Sequence, residues 1–536
     1  ANLWLLMSAV GCVLLIACVN VANLLVARGA MREKEAAVRA SLGATRGRLF
    51  RHMLAETLTL FVAGGLLGVL LGWALLRTLL AMLPANVLPV ATAITMSIPA
   101  LLFTGITTLA AGLIAGCAPA WRATRVDVNG QLKSGGSAGR ARRHYRLSRT
   151  LVVAECSLTL VLLAGAGLVM RSFWKRTHLD LGIRTDHVLT FEMQARRDLW
   201  GKPEQIALFH RELLEKIQAL PGVTSASLNT LGLLSEPAAI PFAFGRSPAP
   251  AEIPKLPRAA IRVVTPGFFE TFDVRVVKGR AFTQADRFAG EEVAMVNERF
   301  AHAYMSGAEP GPRKLSIPVF PMSPFRIVGV YHDVQNAPQL GQPNLPEMCL
   351  DFDQVPLAAA MVAVRTAGEP DAIARAVAGA IHSIDRELPM ANVATVEEVV
   401  RQRLRFDRFE ATVYGAFAAL ALLLAVVGIH GVMAFIVAQQ TRDIGVRIAL
   451  GAEPKEIWRA VLKEGMGLAA AGLALGAGFA WYGGRVLQST LYGANRLDRG
   501  TLVLTAGVLL AAAALACSIP ARRAAAVDPI IALRSE

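Results

Sequence analysis

Few residues in this sequence could do chemistry. His332 and Asp333 are adjacent, and such a pair can act in acid–base catalysis, although at the end of a strand it is more often structural. Glu155 and His430 lie in apolar stretches, where ionisable side chains either form a proton relay or pack between helices. Glu155 lies near the start of its span, where a carboxylate can stay in contact with water, and we expect both residues to have interfacial or helix-packing roles.

The familiar catalytic and metal-binding patterns are absent from the sequence. It contains no G-x-x-x-x-G-K-[ST] loop for ATP, no H-E-x-x-H and no G-x-S-x-G. No two of its 6 cysteines have metal-ligand spacing, and only Cys349 lies in the long polar region, which therefore cannot hold an internal disulfide. We predict no catalytic residue, no metal site and no cofactor in this chain.

The composition is that of a membrane protein. Of the 536 residues, 54% are hydrophobic, and the formal net charge is +15. The basic residues lie beside apolar runs, without zinc-finger spacing or an aromatic RNA-binding signature. We therefore expect no nucleic-acid partner, and we expect contact between the basic segments and membrane lipids.

The apolar runs predict an α-helical polytopic membrane protein. Runs of about 20 residues are long enough to cross a bilayer, and seven occur, at 3–27, 57–83, 97–119, 151–170, 411–437, 465–486 and 501–519. Arginine and lysine are dense at 28–56, 120–150, 438–464 and 520–536, which the positive-inside rule assigns to the cytoplasm. The N-terminus is then outside, the C-terminus is cytoplasmic and the polar block at about 172–408 is extracytoplasmic.

A charged segment after the first span returns after the fifth. Arg28 to Glu56 and Gln439 to Glu464 align at a fixed offset, so that four residues of the first copy have counterparts in the second. The first copy contributes Glu35, Arg39, Gly43 and Ala44, and the second contributes Asp443, Arg447, Gly451 and Ala452. Either glycine can close a helix in the left-handed conformation, and Thr45 or Pro454 suits the start of the next helix. We predict a helical hairpin at both places.

The second helix of each hairpin carries an apolar stripe. The stripes are Leu49, Phe50, Met53 and Leu54 in the first copy, and Ile457, Trp458, Val461 and Leu462 in the second. A stripe of this kind could lie at the headgroup level of the bilayer or dock into a groove of a partner.

Glycines continue the repeat into the next span. Gly64, Gly68 and Gly72 stand four residues apart, and Gly472 and Gly476 repeat the first two at the same offset. Small residues at this spacing allow helices to approach closely, so we expect helix packing here rather than a substrate path.

The remaining segments are a basic connector and a mixed α and β block. The connector at 133–149 is rich in glycine, serine and arginine, which predicts a flexible strip against anionic lipid. Periodicity predicts helices at 204–220 and 371–384, and strands at 187–193, 259–264, 293–297, 325–330 and 361–365. The proline-rich part at 237–257 predicts a mobile loop or an insertion.

The order of these parts resembles the MacB/FtsX family of ABC transporter permeases. The hairpin patterns R-x-x-E-x-x-V-R-x-S-L-G-A at 32–44 and T-R-D-I-G-V-R-I-A-L-G-A at 441–452 carry the resemblance. The block between the modules looks like the MacB periplasmic core domain, on patterns such as T-P-G-F-F-E at 265–270. Two modules without an ATPase are similar to the duplicated orphan permeases called ADOP. Because the chain opens at Ala1 inside an apolar run, we expect the first span and first external domain of that pattern to be absent.

The resemblance implies a domain order and a mechanism. The domains would be a first FtsX-like module at 1–136, a connector with one span at 137–171, a MacB-like core domain at 172–408 and a second module at 409–536. A separate cytoplasmic ABC ATPase subunit would push on the eight matched hairpin residues, and the motion would reach the external domain by mechanotransmission, for efflux or export. The family implies a location in the bacterial inner membrane, with an extracytoplasmic or outer-membrane partner.

Two other functions stay open. The chain could be a non-transporting regulator that acts on an external partner such as a cell-wall enzyme. It could also be an orphan scaffold or sensor without ATPase coupling. The agreement of the two hairpins at Arg39 and Arg447, and at Leu-Gly-Ala, favours a function in which both hairpins still dock a partner.

Overall fold

The structure is a computed structural model that describes residues 2–527, apart from 32–44, 83–96, 124–136, 196–200, 231–236, 246, 287–290, 307–310, 312, 321–323, 338–339 and 488–498. The chain divides into two compact units. A membrane unit comprises residues 1–170 and 410–536, and a mixed-sheet unit comprises residues 171–409.

Long apolar helices build the membrane unit. They are α1 (Asn2–Met31), α2 (Arg46–Met82), α3 (Ile98–Ala123), α4 (Ser137–Thr177), α9 (Val396–Gln439), α11 (Pro454–Leu487) and α12 (Arg499–Ala525), with the short α10 (Thr441–Ala449) between α9 and α11. Within the described residues, six of these helices are long and apolar enough to cross a membrane. The other predicted span falls on α3, whose apolar part, Ile98–Leu113, is shorter. The prediction of a helical, multi-pass membrane protein is confirmed.

The connector prediction was wrong over most of its length. Helix α4 begins at Ser137, so the segment from there to Arg149 is helical rather than flexible. Alanine, arginine and leucine are good helix formers, and they outweigh the loop signal of the glycines and serines that precede them.

The core of the membrane unit is asymmetric. Its main cluster of buried side chains comes from α4, α9, α10, α11 and α12. Helix α1 joins through a smaller cluster, in which Ala9 and Ile16 pack with Leu162 of α4 and Ala421 of α9. Helices α2 and α3 pack against each other, and α3 also contacts α1.

Within its described residues, the mixed-sheet unit contains one twelve-stranded mixed sheet. The strand order is β12-β1-β11-β2-β5-β10-β7-β9-β8-β4, with β3 added to β5 and β6 added to β9. The strands are β1 (Val188–Gln194), β2 (Val223–Asn229), β3 (Ala239–Pro241), β4 (Ala243–Phe244), β5 (Arg258–Val264), β6 (Val276–Gly279), β7 (Val293–Asn297), β8 (Lys314–Ser316), β9 (Phe325–Tyr331), β10 (Glu347–Asp351), β11 (Ala359–Thr366) and β12 (Ala391–Thr395). The β5–β10 and β7–β9 pairs are parallel, and the other pairs are antiparallel.

Both faces of the sheet are covered. Helices α5 (Pro203–Gln218), α7 (Glu298–Tyr304) and α8 (Pro370–Ile384) belong with one cluster of buried side chains, and α6 (Phe268–Thr271) belongs with a second. Successive side chains of a strand point to opposite faces of the sheet and pack into different clusters, as those of Val188 and Leu189 do. This alternation explains why the central strands read as nearly continuous apolar runs.

The predicted elements of this unit mostly match the observed ones, with one correction. The helices predicted at 204–220 and 371–384 correspond to α5 and α8, and all five predicted strands are present. The proline-rich segment at 237–257 was predicted to be a mobile loop or an insertion, and the loop alternative is wrong for part of it, because the segment contributes β3 and β4 to the sheet. Phe242 lies between these strands and is fully buried, so its burial helps to hold the segment against the core.

The His332–Asp333 pair has structural contacts. His332 Nδ1 lies 2.6 Å from a carboxylate oxygen of Glu298, and the Arg299 backbone N–H donates to Asp333 Oδ1 over 3.0 Å. These contacts join the end of β9 to the first turn of α7.

Candidate functional site

The hairpin of the second copy is a capped helix–turn–helix. Gly451 follows α10 with a positive φ of 99°, a conformation that glycine adopts without strain. The Gly451 N–H donates to Ile448 O, and the Ala452 N–H donates to Arg447 O, both over 3.0 Å. These two bonds form a Schellman cap, which fixes the direction in which the chain leaves α10. The predicted helix end at Gly451 is therefore observed.

The next helix also begins where the sequence predicts. Pro454 is the first residue of α11, where its missing N–H leaves no intrahelical bond unmade. The Glu456 N–H donates to Glu453 O over 2.9 Å, which closes the first turn. The turn between α10 and α11 is therefore short and held at both ends.

Two apolar side chains point outward from this hairpin. Val446 is 41% exposed and Leu450 is 83% exposed, whereas Ile444 of the same helix is buried in the bundle. Arg447 and Asp443 are exposed beside them. We call these four residues the hairpin knob. An apolar protrusion with one cation and one anion suits the binding of a protein groove.

Sequence reasoning placed the charged half of the knob and missed the apolar half. Val446 and Leu450 match Val38 and Leu42 of the first copy, so their repetition was visible in the sequence. Apolar residues one helical turn apart usually face a core, so their type and spacing do not identify them as exposed. Their exposure depends on how α10 packs, which the local sequence does not specify.

The apolar stripe of the second hairpin packs inside the bundle. Ile457 and Val461 are buried in the main cluster, and Trp458 and Leu462 pack partly buried against it. Among the described residues, the stripe therefore packs against other helices of the same chain. For this copy, it neither lies on the bilayer surface nor is free to enter a partner's groove. Ile436 and Ile444 in the same cluster supply the apolar surface that buries the stripe.

A polar contact connects this hairpin to α4. The Tyr145 hydroxyl donates to Glu464 Oε1 of α11, and Arg149 Nη1 donates to the Tyr145 hydroxyl over 3.4 Å. The Arg149 guanidinium also lies over the Tyr145 ring, 5.1 Å from its centroid. Glu464 matches Glu56 in the first copy. We call Tyr145, Arg149 and Glu464 the latch.

The first hairpin falls mostly outside the described residues. This applies to Glu35, Arg39, Gly43 and Ala44, and to the side chains of Leu49 and Met53. Phe50 and Leu54 are each half-buried. Predictions on this copy therefore rest on the sequence repeat.

The repeated glycines differ between the two copies. A Cβ at Gly472 would collide with Cys156 of α4 and lie 2.9 Å from Val153 O, and one at Gly476 would lie 2.7 Å from Ser157 O. A Cβ at Gly64, Gly68 or Gly72 would meet no described atom within 4 Å. In the described part of the first copy, Gly65 and Gly112 make the close approaches instead, to Thr108 and Phe61.

The position of Glu155 near the start of its span suggested contact with water, but the structure shows that Glu155 is buried. Its side chain is fully buried beside Asn20 of α1, because α1 and α9 cover that side of α4. His430 packs between helices, with Nδ1 3.2 Å from Ala516 O of α12. Within the described residues there is no cluster of three or more His, Cys, Asp or Glu that could hold a metal ion.

Two family models match complementary parts of the chain. The FtsX-like permease C-terminal model matches residues 7–128 and again residues 415–529. The MacB-like periplasmic core domain model matches residues 157–380. The double match follows the internal repeat, with the core domain between its copies.

Curated relatives of the chain include proteins named as ABC transporter permeases. The uncharacterized ABC transporter permease YknZ of Bacillus subtilis is 25% identical over 52% of this chain and 70% of its own length. The pyoverdine export ATP-binding/permease protein PvdT of Pseudomonas fluorescens strain Pf0-1 is 26% identical over 50% of this chain. That alignment spans 42% of PvdT, less than half of its length.

Two solved structures are similar to part of the chain. The periplasmic region of MacB from Actinobacillus actinomycetemcomitans aligns with 42% of this chain and 97% of its own, at 13% identity and a TM-score of 0.29. The extracellular domain of YknZ from Gram-positive bacteria aligns with 38% of this chain and 100% of its own, at 13% identity and a TM-score of 0.26. The paired FtsX-like matches, the core-domain match between them and the permease relatives lead to one conclusion: the chain belongs to the MacB/FtsX-type permeases of ABC transporters.

Proposed function

We propose that this chain couples a separate cytoplasmic ABC ATPase to its mixed-sheet unit, with the two hairpins as the ATPase-docking elements. The observation that carries the proposal is the hairpin knob. Leu450 and Val446 stay exposed around Arg447 on a turn whose direction is fixed by the Schellman cap. An exposed apolar pair on a rigid turn suits the groove of a protein partner.

The proposed orientation follows from charge. The hairpins lie in segments dense in arginine and lysine, which favour the cytoplasmic side of the inner membrane. The mixed-sheet unit then lies outside the membrane, and the C-terminus is cytoplasmic. An extracytoplasmic or outer-membrane partner would meet that unit.

The latch and two long helices offer a route for the motion. Force on the knob reaches α9 directly, because α10 follows α9 after Gln440 alone. Force on α11 reaches α4 through the contact of Glu464 with Tyr145. Helices α4 and α9 each continue in the sequence past the division between the units, at residues 170 and 409. In this proposal they carry the motion by mechanotransmission, and ATP hydrolysis takes place on the other subunit.

Both hairpins belong to one polypeptide. A dimer of ATPase subunits presents two equivalent docking surfaces, and this chain would supply one hairpin to each. The pyoverdine exporters among its relatives support export as the process, and we extend that process, without its substrate, to this chain.

Co-purification tests the docking role. The full chain is expressed with each ATP-binding subunit of this class encoded in the source genome, and both complex formation and ATP turnover are measured. The variants are Arg39→Glu with Arg447→Glu, and Leu450→Asp. The control is Arg375→Glu, an exposed charge reversal on α8. We expect wild type and the control to retain a partner ATPase and both knob variants to lose it.

The opposite outcomes favour other functions. If no ATPase is retained by the wild type, the orphan scaffold or sensor takes precedence. If an ATPase is retained but turnover drives only the binding of an external enzyme, the chain is a regulator rather than an exporter. If the folded knob variants retain the ATPase, docking through the hairpins is wrong.

A further inference from the structure

Glu155 is a carboxyl group buried in the membrane unit. It lies on α4, and its side chain is 0% exposed. Among the described residues, neither of its oxygens has a hydrogen-bond partner. A buried carboxylate in a membrane bundle is costly unless a cation or several donors compensate for its charge.

The mixed-sheet unit shows how this chain compensates for a buried carboxylate. Glu347 is almost fully buried, and it accepts bonds from Arg262 over 2.8 Å, from the Tyr331 hydroxyl over 2.7 Å and from Asn336 over 2.8 Å. Burial opposes ionisation, but the Arg262 guanidinium and these hydrogen bonds hold the pKa of Glu347 below its usual value. Glu347 is therefore an ionised residue with its charge compensated.

Glu155 has an amide oxygen beside it and no cation among the described residues. The Asn20 side chain donates its amide N–H to Leu424 O of α9 over 2.8 Å. Its other polar atom, Oδ1, lies beside Glu155 Oε2, since a Cβ at Gly428 would collide with both atoms. In the part of the chain that the structure describes, Asn20 Oδ1 and both Glu155 oxygens have no hydrogen-bond partner, and neither does the Asn23 side-chain amide, which lines the same small cavity as Asn20. An ionised carboxylate next to an amide oxygen would be repelled, so this arrangement suits a carboxyl group that carries a proton.

Gly428 of α9 makes the arrangement possible. A Cβ at this position would collide with both Asn20 Oδ1 and Glu155 Oε2, so the two oxygens share the space that a side chain would take. A small cavity of about 10 Å³ lies beside them, with room for about one water molecule, and its lining includes Asn20, Asn23, Ser148 and Gly428. The site is thus tight, polar and formed by α1, α4 and α9 together.

We propose that Glu155 is a proton-binding site that holds α1 against α4 and α9. A proton from water binds a carboxylate oxygen, the charge of the group changes from −1 to 0, and the new O–H donates to Asn20 Oδ1. Loss of the proton leaves a carboxylate that faces an acceptor and needs water. Deprotonation therefore loosens α1, the helix that leads to the first hairpin, from the core of the second half.

The surrounding groups support proton binding rather than an ion pair. In the described residues, the titratable side chains nearby are Cys156 of α4 and, beside it, Cys517 of α12. His430 of α9 is engaged with Ala516 O of α12. Among those residues α1 and α11 place no charged side chain against Glu155, and the polar side chain beside it is that of Asn20. This inference needs no ATPase, so its failure and that of the docking proposal are separable.

Infrared spectroscopy of the full chain in lipid vesicles tests the site. Wild type and Glu155→Gln are titrated from alkaline to acidic pH, and the carbonyl-stretch band of neutral carboxyl groups is recorded. Burial raises the pKa of Asp351 in the mixed-sheet unit to about 8, so that residue contributes to the band in both proteins. The wild type minus Glu155→Gln difference isolates Glu155. We expect a positive difference band at neutral pH that disappears at alkaline pH.

A stability comparison tests whether Glu155 holds α1 against α4 and α9. Glu155→Gln keeps an N–H donor for Asn20 Oδ1, whereas Glu155→Leu leaves that acceptor without one. We expect Glu155→Gln to melt within about 1 °C of wild type at neutral pH and Glu155→Leu to melt about 2–4 °C lower. A missing difference band at neutral pH would overturn proton binding even if Glu155→Leu does not fold. Equal melting temperatures for Glu155→Leu and Glu155→Gln would overturn the claim that Glu155 holds α1 against α4 and α9.

Discussion

The two halves of the membrane unit repeat the same hairpin and glycine pattern, but they pack differently. In the second half, 33% of the most apolar stretch of α11 is buried, whereas 0% of the corresponding stretch of α2 is buried within the described structure. Gly472 and Gly476 lie against α4, whereas a Cβ at Gly64 or Gly68, the matching positions, would meet no described atom within 4 Å. Helix α4 therefore accounts for the difference, since it packs with the second half.

The comparison separates what a motif permits from what its surroundings decide. Glycines four residues apart permit a close helix approach, but a partner helix must be present to use them. In the first half the close approach shifts by one position, to Gly65 against Thr108. The same sequence pattern thus has two structural outcomes in one chain.

Substitution at the repeated glycines should show the largest contrast. Gly472→Ala forces a methyl group against Cys156 and Val153 O, and overpacking of this kind costs about 1–3 kcal/mol. Gly64→Ala is the matched variant, and it should be neutral or slightly stabilising because alanine favours helix. The measurement is thermal unfolding of both purified variants in detergent. Equal destabilisation of the two would show that the halves are packed alike.

The latch should give a smaller contrast. Tyr145→Phe removes the hydroxyl that joins Arg149 and Glu464, at a cost of about 1 kcal/mol. We expect a lower ATP turnover in the complex with a partner ATPase, at unchanged ATPase binding, because only transmission from the second hairpin is weakened. Glu464→Gln keeps an acceptor for the hydroxyl and serves as the control. Unchanged turnover in Tyr145→Phe would remove the latch from the route.

The α2–α3 contact should give the smallest effect. A Cβ at Gly65 would lie 2.9 Å from Thr108 Cγ2, a side-chain atom that can move with its rotamer. Gly65→Ala should therefore cost less than about 1 kcal/mol, below the cost of Gly472→Ala. Thermal unfolding of the two variants side by side measures the difference. A larger loss for Gly65→Ala would mean that the first half is the more tightly packed one.

The sequence predicted the features that depend on local chemistry. Gly451 ends a helix and Pro454 begins one because their own backbone preferences favour those places. The spans follow from apolar length, and the central strands of the mixed sheet follow from apolar β-branched runs.

The features that depend on distant neighbours were not predictable in the same way. Ile457 and Val461 form an amphipathic stripe in any environment, and only the packed bundle shows that they face inward. The sequence shows that Glu155 lies near the start of its span, which suggested contact with water. It does not show that α1 packs over that position and buries the side chain. Leu450 matches Leu42 in the sequence repeat, but the exposure of Leu450 is a property of the tertiary structure.

Hydrogen exchange tests the central claim most directly. The full chain is assembled with its partner ATPase, and amide exchange across residues 171–409 is compared with and without ATP, for wild type and for Arg39→Glu with Arg447→Glu. The account predicts an ATP-dependent change in the mixed-sheet unit of the wild type and none in the folded double variant. An equal change in both proteins, or no change in a wild-type complex that hydrolyses ATP, would contradict transmission through the hairpins.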